Sequence, residues 1–174
     1  MSLDLTASVQ KAQAGDTQAF AELYSLVYKD LYRIALMNLN NEHDASDAVS
    51  DAVLEAYTNI RKLRDANAFK AWMMTILTAK IKNKQKEYIR NRDLREDIED
   101  LEDVQPDETT DIKFDGVLLT NAMAELSADE RMVLSLNIVS GYTSEEIAGM
   151  TGISANTVRS KAARAKEKLK KLLE

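Results

Sequence analysis

The chain has 174 residues, 45% hydrophobic and 30% charged, enough for one ordinary globular domain or two small ones. Its 29 acidic and 23 basic residues leave a net charge of -6, and the absence of cysteine excludes disulfides and thiolate metal sites. One Pro and five Gly make it poor in helix breakers. No apolar run approaches the roughly 18 residues of a membrane span and the N-terminus has no apolar signal core, so the expectation is an all-α, cytoplasmic protein with no membrane insertion.

In chain order, Phe20, Leu23, Tyr24, Val27, Leu31, Ile34 and Ala35 recur at three- and four-residue steps and predict a helix capped by Asp16 or Thr17. Asn40, Asn41 and Asp44 mark a turn. A second helix follows, with Ala45, Ala48, Val49, Ala52 and Ala56 on one face and Asp44, Asp47, Asp51 and Glu55 on the other. After the polar loop Arg61 to Ala68, a third helix starts near Phe69 and runs towards Arg92, apolar at first (Phe69, Trp72, Met73, Ile76) and basic later. At this spacing Trp72 reads as core before it reads as a platform for stacking bases.

Charge is laid out in blocks. Residues 80–92 hold Lys80, Lys82, Lys84, Lys86, Arg90 and Arg92 against Glu87. Residues 93–111 hold ten acidic residues against Arg95, and the only Pro, Pro106, lies within them. This segment reads as a linker between domains, either a self-repelling spacer or an acidic segment with a partner of its own. Blocks of alternating sign imply segments with different partners, so the overall negative charge does not exclude nucleic acid.

Beyond the linker, Val117 to Leu126 is a short apolar helical signal. Ser127 to Glu130 (SADE) and Thr143 to Glu146 (TSEE) both match the capping box, the first opening a helix through Val139 that Gly141 ends. The chain closes on "TSEEIAGMTGISANTVRSKAARAKEKL". Ile147 and Ala148 face inward, and Gly152 supplies a tight turn. Ile153 follows as an apolar plug, Ser154 caps the next helix and Val158 faces back. That is the packing signature of a helix-turn-helix. An ordinary helical hairpin would not require the outward Arg159, Lys161 and Arg164. In a helix-turn-helix the N-terminal residues of the second helix meet base edges. This makes Ala155, Asn156, Arg159 and Ser160 candidate readers, with Asn suited to adenine and Arg to guanine, and Ser154 and Thr157 further DNA-binding candidates on the same helix. Lys161, Arg164 and Lys166 suit phosphates.

The segment "LSADERMVLSLNIVSGYTSEEIAGMTGISANTVRSKAARAKEKLKKLL" resembles the promoter −35 binding region of the sigma-70 family, closest to its small extracytoplasmic-function (ECF) type. Three N-terminal blocks agree in family order. "GDTQAFAELYSLVYKDLYRIALMNL" resembles the start of the second sigma region, "DASDAVSDAVLEAYTNI" the helix that grips the polymerase clamp, and "FKAWMMTILTAKIKNK" the helix that contacts the −10 element. Ser50 stands where the family often has Gln, Val53 where it has an aromatic and Ala79 where it has Asn. Thr75 and Thr78 occupy positions that are often basic or polar.

The resemblance implies two small helical domains, 1–92 for core polymerase and −10 binding and 113–174 for −35 binding, joined by an acidic linker, 93–112. It makes Asp44, Asp47, Asp51, Leu54 and Glu55 the face for RNA polymerase core, whose β′ clamp and β flap are the expected contacts. Arg64, Asp65 and Asn67 become the loop that pockets a −10 nucleotide, with Lys80, Lys82, Asn83 and Lys86 along the same promoter DNA. An anti-sigma factor is a further implied partner, and the linker would mimic RNA charge in the polymerase channel. A stand-alone helix-turn-helix regulator is the alternative, but it leaves the acidic stripe and the "FKAW" block without purpose; a sigma-like inhibitor is another. The lone His43 sits in a turn with no further ligands at metal spacing. Without Cys, a Gly-rich phosphate loop or a convergent carboxylate cleft, the expectation is no metal, no cofactor and no catalysis.

Overall fold

The structure, a computed structural model, describes residues 4–96, 119 and 121–174. The linker 93–112 therefore lies outside the described residues except for its first four, and so does the start of the helical signal at Val117.

Seven helices organise the described residues. Helix α1 spans Thr6–Gln13, α2 Thr17–Leu39, α3 Glu42–Asn59 and α4 Phe69–Glu96. Short 3-10 turns, Ile60–Lys62 and Ala66–Ala68, lie between α3 and α4. The second half comprises helical residues 121–124, α5 (Ala128–Leu134), α6 (Ser144–Thr151) and α7 (Ala155–Leu173). No strand occurs among the described residues.

Local chemistry sets most of the boundaries. The Asp16 carboxylate accepts from the backbone N–H groups of Gln18 and Ala19, which opens α2. Asn40 ends α2 in a left-handed conformation, φ 50°, one of the few that Asn tolerates. Asn41 then caps α3 by accepting from Asp44 N–H. At the Thr143 capping box, Thr143 Oγ1 accepts from Glu146 N–H and Glu146 accepts from Thr143 N–H. The expected box at Ser127 is only half made. Ser127 accepts from Glu130 N–H at 3.2 Å, but the buried Glu130 carboxylate takes Lys168 Nζ at 2.9 and 3.0 Å. A charge-assisted pair inside the packed α5–α7 face outcompetes the local cap.

The expected core faces are buried. Phe20, Leu23, Val27, Leu31, Ile34 and Ala35 from α2 meet Ala45, Ala48, Val49, Ala52 and Ala56 from α3. The small α3 residues allow close approach, and Phe69, Met73, Met74, Leu77 and Ile81 of α4 complete the layer. Trp72 packs partly buried against this core, as its spacing implies. Helix α1, which has no clear signal in the sequence, pins the loop before α4. Its Gln13 Nε2 donates to the carbonyls of Ile60 and Leu63 at 3.0 and 2.9 Å. Leu63, in a loop expected to be polar, is itself buried.

The core does not stop at the linker. Met132, Val133, Leu136, Ile147, Met150 and Val158 belong to the same apolar cluster as the α2–α4 residues. A second cluster joins Ala122, Met123, Leu126 and Leu134 to Ala165 and Leu169 of α7, with Met37 of α2 against it. The helix begun by α5 widens into a π-helical turn over Ser135–Val139 beside α2.

Candidate nucleic-acid interface

The helix-turn-helix is built as its sequence implies. Gly152 sits at φ 78°, the left-handed region, so the chain turns there without a Cβ penalty. Ile147 and Val158 are buried together, Ile153 packs partly buried beside them, and Ser154 Oγ accepts from Thr157 N–H to start α7. This leaves Ser154, Asn156, Thr157, Arg159, Ser160 and Arg164 exposed and Ala155 partly so. Arg159 donates to Asn156 Oδ1 at 2.9 Å and pairs with Glu145 on α6. Two candidate base readers are therefore held side by side by one surface contact, which solvent screens. Lys161 is less free: it is half-buried and reaches Asp129 at 3.8 Å.

The basic end of α4 behaves differently. Asn83 and Lys86 point to solvent, with Ala79 and Arg90 on the same stripe. Lys80 reaches Glu55 at 3.6 Å, and Lys84 reaches Asp47 at 3.9 Å. Lys82 Nζ donates to the Thr151 carbonyl at the end of α6. Lysines two residues apart thus face three directions, because each such step turns about 200° around the helix.

The same contacts define the acidic face of α3. Asp47 and Glu55 meet α4 lysines, and Asp44 accepts from Tyr88 OH. Burial, then Asp44, hold that tyrosine protonated well above its ordinary range. Asp51 is exposed and has no ion-pair partner among the described residues. Leu54 is 66% exposed and Tyr57 45%, so this edge combines carboxylates with apolar surface. The loop residues Arg64, Asp65 and Asn67 are all exposed. Asp65 accepts from Asn67 N–H at 3.0 Å, an Asx turn that fixes the loop's shape. Gln13 supports this loop from behind, a role whose only sequence signal is a lone Gln near the end of a short helix.

No group of three or more His, Cys, Asp or Glu residues able to hold a metal occurs among the described residues. Nor is any described helix long and apolar enough to cross a membrane.

Comparison with known proteins accounts for this layout. The family model "Sigma-70 region 2" matches residues 22–95 and "Sigma-70, region 4" residues 117–169. The ECF RNA polymerase sigma factor SigM of Mycobacterium tuberculosis is 30% identical over 162 residues, 92% of this chain and 80% of that protein. The ECF RNA polymerase sigma factor SigW of Bacillus subtilis is 26% identical over 99% of this chain and 98% of its own length. Among solved structures, the sigma factor RpoE in complex with the anti-sigma factor NepR from Bartonella quintana has a TM-score of 0.72 at 25% identity, covering 88% of this chain and 96% of that one. CnrH in complex with the cytosolic domain of CnrY shares the fold, with a TM-score of 0.69 at 21% identity, covering 96% and 95%. With an exposed recognition helix, a carboxylate-lined α3 and both regions matched in order, the chain belongs to the sigma-70 family of RNA polymerase sigma factors, in its ECF group.

Proposed function

We propose that the chain binds core RNA polymerase and directs promoter-specific initiation, as a binding factor with no reaction of its own, in the cytoplasm where polymerase works. The observation that carries this is the coexistence of two DNA-suited surfaces, on α4 and α7, with a third surface on α3 suited to protein. A regulator that acted on DNA alone would have no use for the third.

In this reading Asn156 and Arg159 read −35 base edges, assisted by Ser154, Ala155, Thr157 and Ser160, while Lys161 and Arg164 hold phosphates. Arg64, Asp65 and Asn67 receive an unstacked −10 nucleotide, and Lys80, Lys82, Asn83 and Lys86 follow the adjoining backbone. Asp44, Asp47, Asp51 and Glu55 dock on a basic surface of the β′ clamp, with Leu54 as the apolar anchor. The charges set register and on-rate more than affinity. Two domains, 1–92 and 113–174, each bind weakly, and polymerase makes the two contacts one by fixing their spacing. The β flap holds the second domain. An anti-sigma partner is supported by the RpoE–NepR likeness.

The test reverses Asp47 and Asp51 to Lys. Affinity for core should fall by at least tenfold, about 1.4 kcal/mol, while binding of a −35 duplex by α7 persists. Unchanged core affinity would remove the docking face.

A further inference from the structure

Two carboxylates open α6, and they do different work. Both lie in its first turn, where the unpaired N–H groups of a helix favour negative charge. Glu146 is committed to the capping box and accepts from Thr143 N–H at 2.9 Å. Glu145 takes no part in that cap. It crosses to α7 instead and accepts from Arg159 Nη2, 14 residues further along the chain. Arg159 Nη1 donates in turn to Asn156 Oδ1 at 2.9 Å. A carboxylate, a guanidinium and an amide thus stand in one row on the face suited to base edges.

The pairing sets Arg159 apart from the other cations of its helix. Lys161 and Lys168 reach Asp129 and Glu130 of α5, and Lys171 reaches Glu167 of α7 itself. Among the described residues, Arg159 is the α7 cation that pairs with α6, the other helix of the helix-turn-helix.

Electrostatics make Glu145 an odd neighbour for DNA. Phosphates repel a carboxylate whatever the sequence, so Glu145 lowers affinity for every duplex. In the free chain it returns little, because both side chains are exposed and solvent screens the pair. Docking changes that balance. The duplex excludes water from this face, and the same pair strengthens in the lower dielectric.

A guanidinium carries more N–H donors than these two contacts use, so a held Arg159 can still bind a base. It cannot swing to a phosphate without leaving Glu145 unpaired beside the backbone charge. A wrong base then leaves the guanidinium short of a partner, and that loss is what separates right from wrong sites.

We propose that Glu145 is a positioning residue for −35 readout: it holds Arg159 over one base pair, with guanine the base a guanidinium fits, and withholds it from phosphates. This rests on the sigma-factor reading above. It gives a specificity role to a residue that touches neither base nor phosphate.

The test uses the full chain bound to core polymerase. A −35 duplex is selected from a randomised pool, and every single-base variant of it is then measured by competition. Arg159→Ala defines the positions that depend on the arginine. At those positions Glu145→Ala should lose about fivefold or more of the discrimination. Affinity for mismatched duplexes should hold or rise, because a negative charge has gone. Preferences at other positions should hold. In the Arg159→Ala background, Glu145→Ala should change no preference further. Glu145→Gln keeps the length and an acceptor oxygen, so it should lose less than Glu145→Ala at the same positions. Circular dichroism checks folding, and the Glu145→Gln result decides by itself if Glu145→Ala unfolds.

Unchanged discrimination at the Arg159-dependent positions overturns the proposal. So does a loss spread evenly over all positions, a loss that persists without Arg159, or an Arg159→Ala variant that keeps every preference. If the unmodified chain on core selects no duplex, the sigma-factor reading falls and the role of Glu145 falls with it.

Discussion

Helices α4 and α7 are both basic at their C-terminal ends, yet they hold their charges differently. On α7, Asn156, Ser160 and Arg164 stand in solvent, Arg159 stays exposed while pairing with Glu145, and Lys161 and Lys168 reach Asp129 and Glu130. On α4, Lys80 and Lys84 face the α3 carboxylates, Lys82 caps α6, and Asn83 and Lys86 remain outward. Similar composition thus gives one helix displayed for reading and another whose charge is shared with its own chain. The cause is packing: α4 lies between α3 and α6, whereas the N-terminal half of α7 buries only Val158 and Ala162 against the body.

The comparison breaks most completely if the support of α7 is removed. Ile147→Ala empties a fully buried position where the turn between α6 and α7 packs, and should cost about 2–5 kcal/mol. Denaturant unfolding would record the loss, and −35 binding should fail with it. Next in size, Arg159→Ala should cost about 1–3 kcal/mol of preference for the cognate −35 base, read by competition between duplexes on the polymerase-bound chain. Lys86→Ala should instead weaken promoter binding alike for all sequences and lower the salt slope by about 1.

A smaller effect separates displayed from shared charge. Glu55→Gln releases Lys80, and because a half-exposed ion pair is worth only about 0–1 kcal/mol, DNA affinity should rise no more than severalfold. A fall would mean that Glu55 orients Lys80 for DNA. Smallest of all is a pH effect at Tyr142, which packs partly buried against the main core. Burial, followed by the charges of Asp30 and Glu146, pushes the Tyr142 hydroxyl from 10.0 up to about 12. Its folded-state pKa is raised, so its contribution is complete below pH 10.0 and is lost as pH climbs towards about 12. Tyr142→Phe should flatten that part of an alkaline stability profile; an unchanged profile would show that the hydroxyl is solvated.

Much of this was legible in the sequence because it is local. Asp16, Thr143 and Ser154 cap helices within three residues of themselves, and Gly152 marks its turn by needing a positive φ. The three-to-four-residue periodicity placed Leu31, Ala52 and Met73 in the core correctly. What escaped was set by partners far along the chain. Ser127 and Glu130 look like a complete capping box, but Lys168 claims the carboxylate from 38 residues away. The sequence separates the acidic stripe from the basic block as faces for different partners, while the α3–α4 register puts Asp47 beside Lys84. Asn38 and Ser135 meet across 97 residues, and neither has a distinguishing pattern nearby. Gln13 is one polar residue on a short helix until the loop carbonyls of Ile60 and Leu63 come to it.

The most direct test of the central claim is run-off transcription from a library of DNA fragments by core polymerase, with and without the chain. The account predicts that core alone initiates without selection, and that adding the chain yields discrete transcripts from fragments sharing −10 and −35 sequences at fixed spacing. No promoter-specific initiation, together with tight DNA binding by the chain in the absence of polymerase, would contradict it.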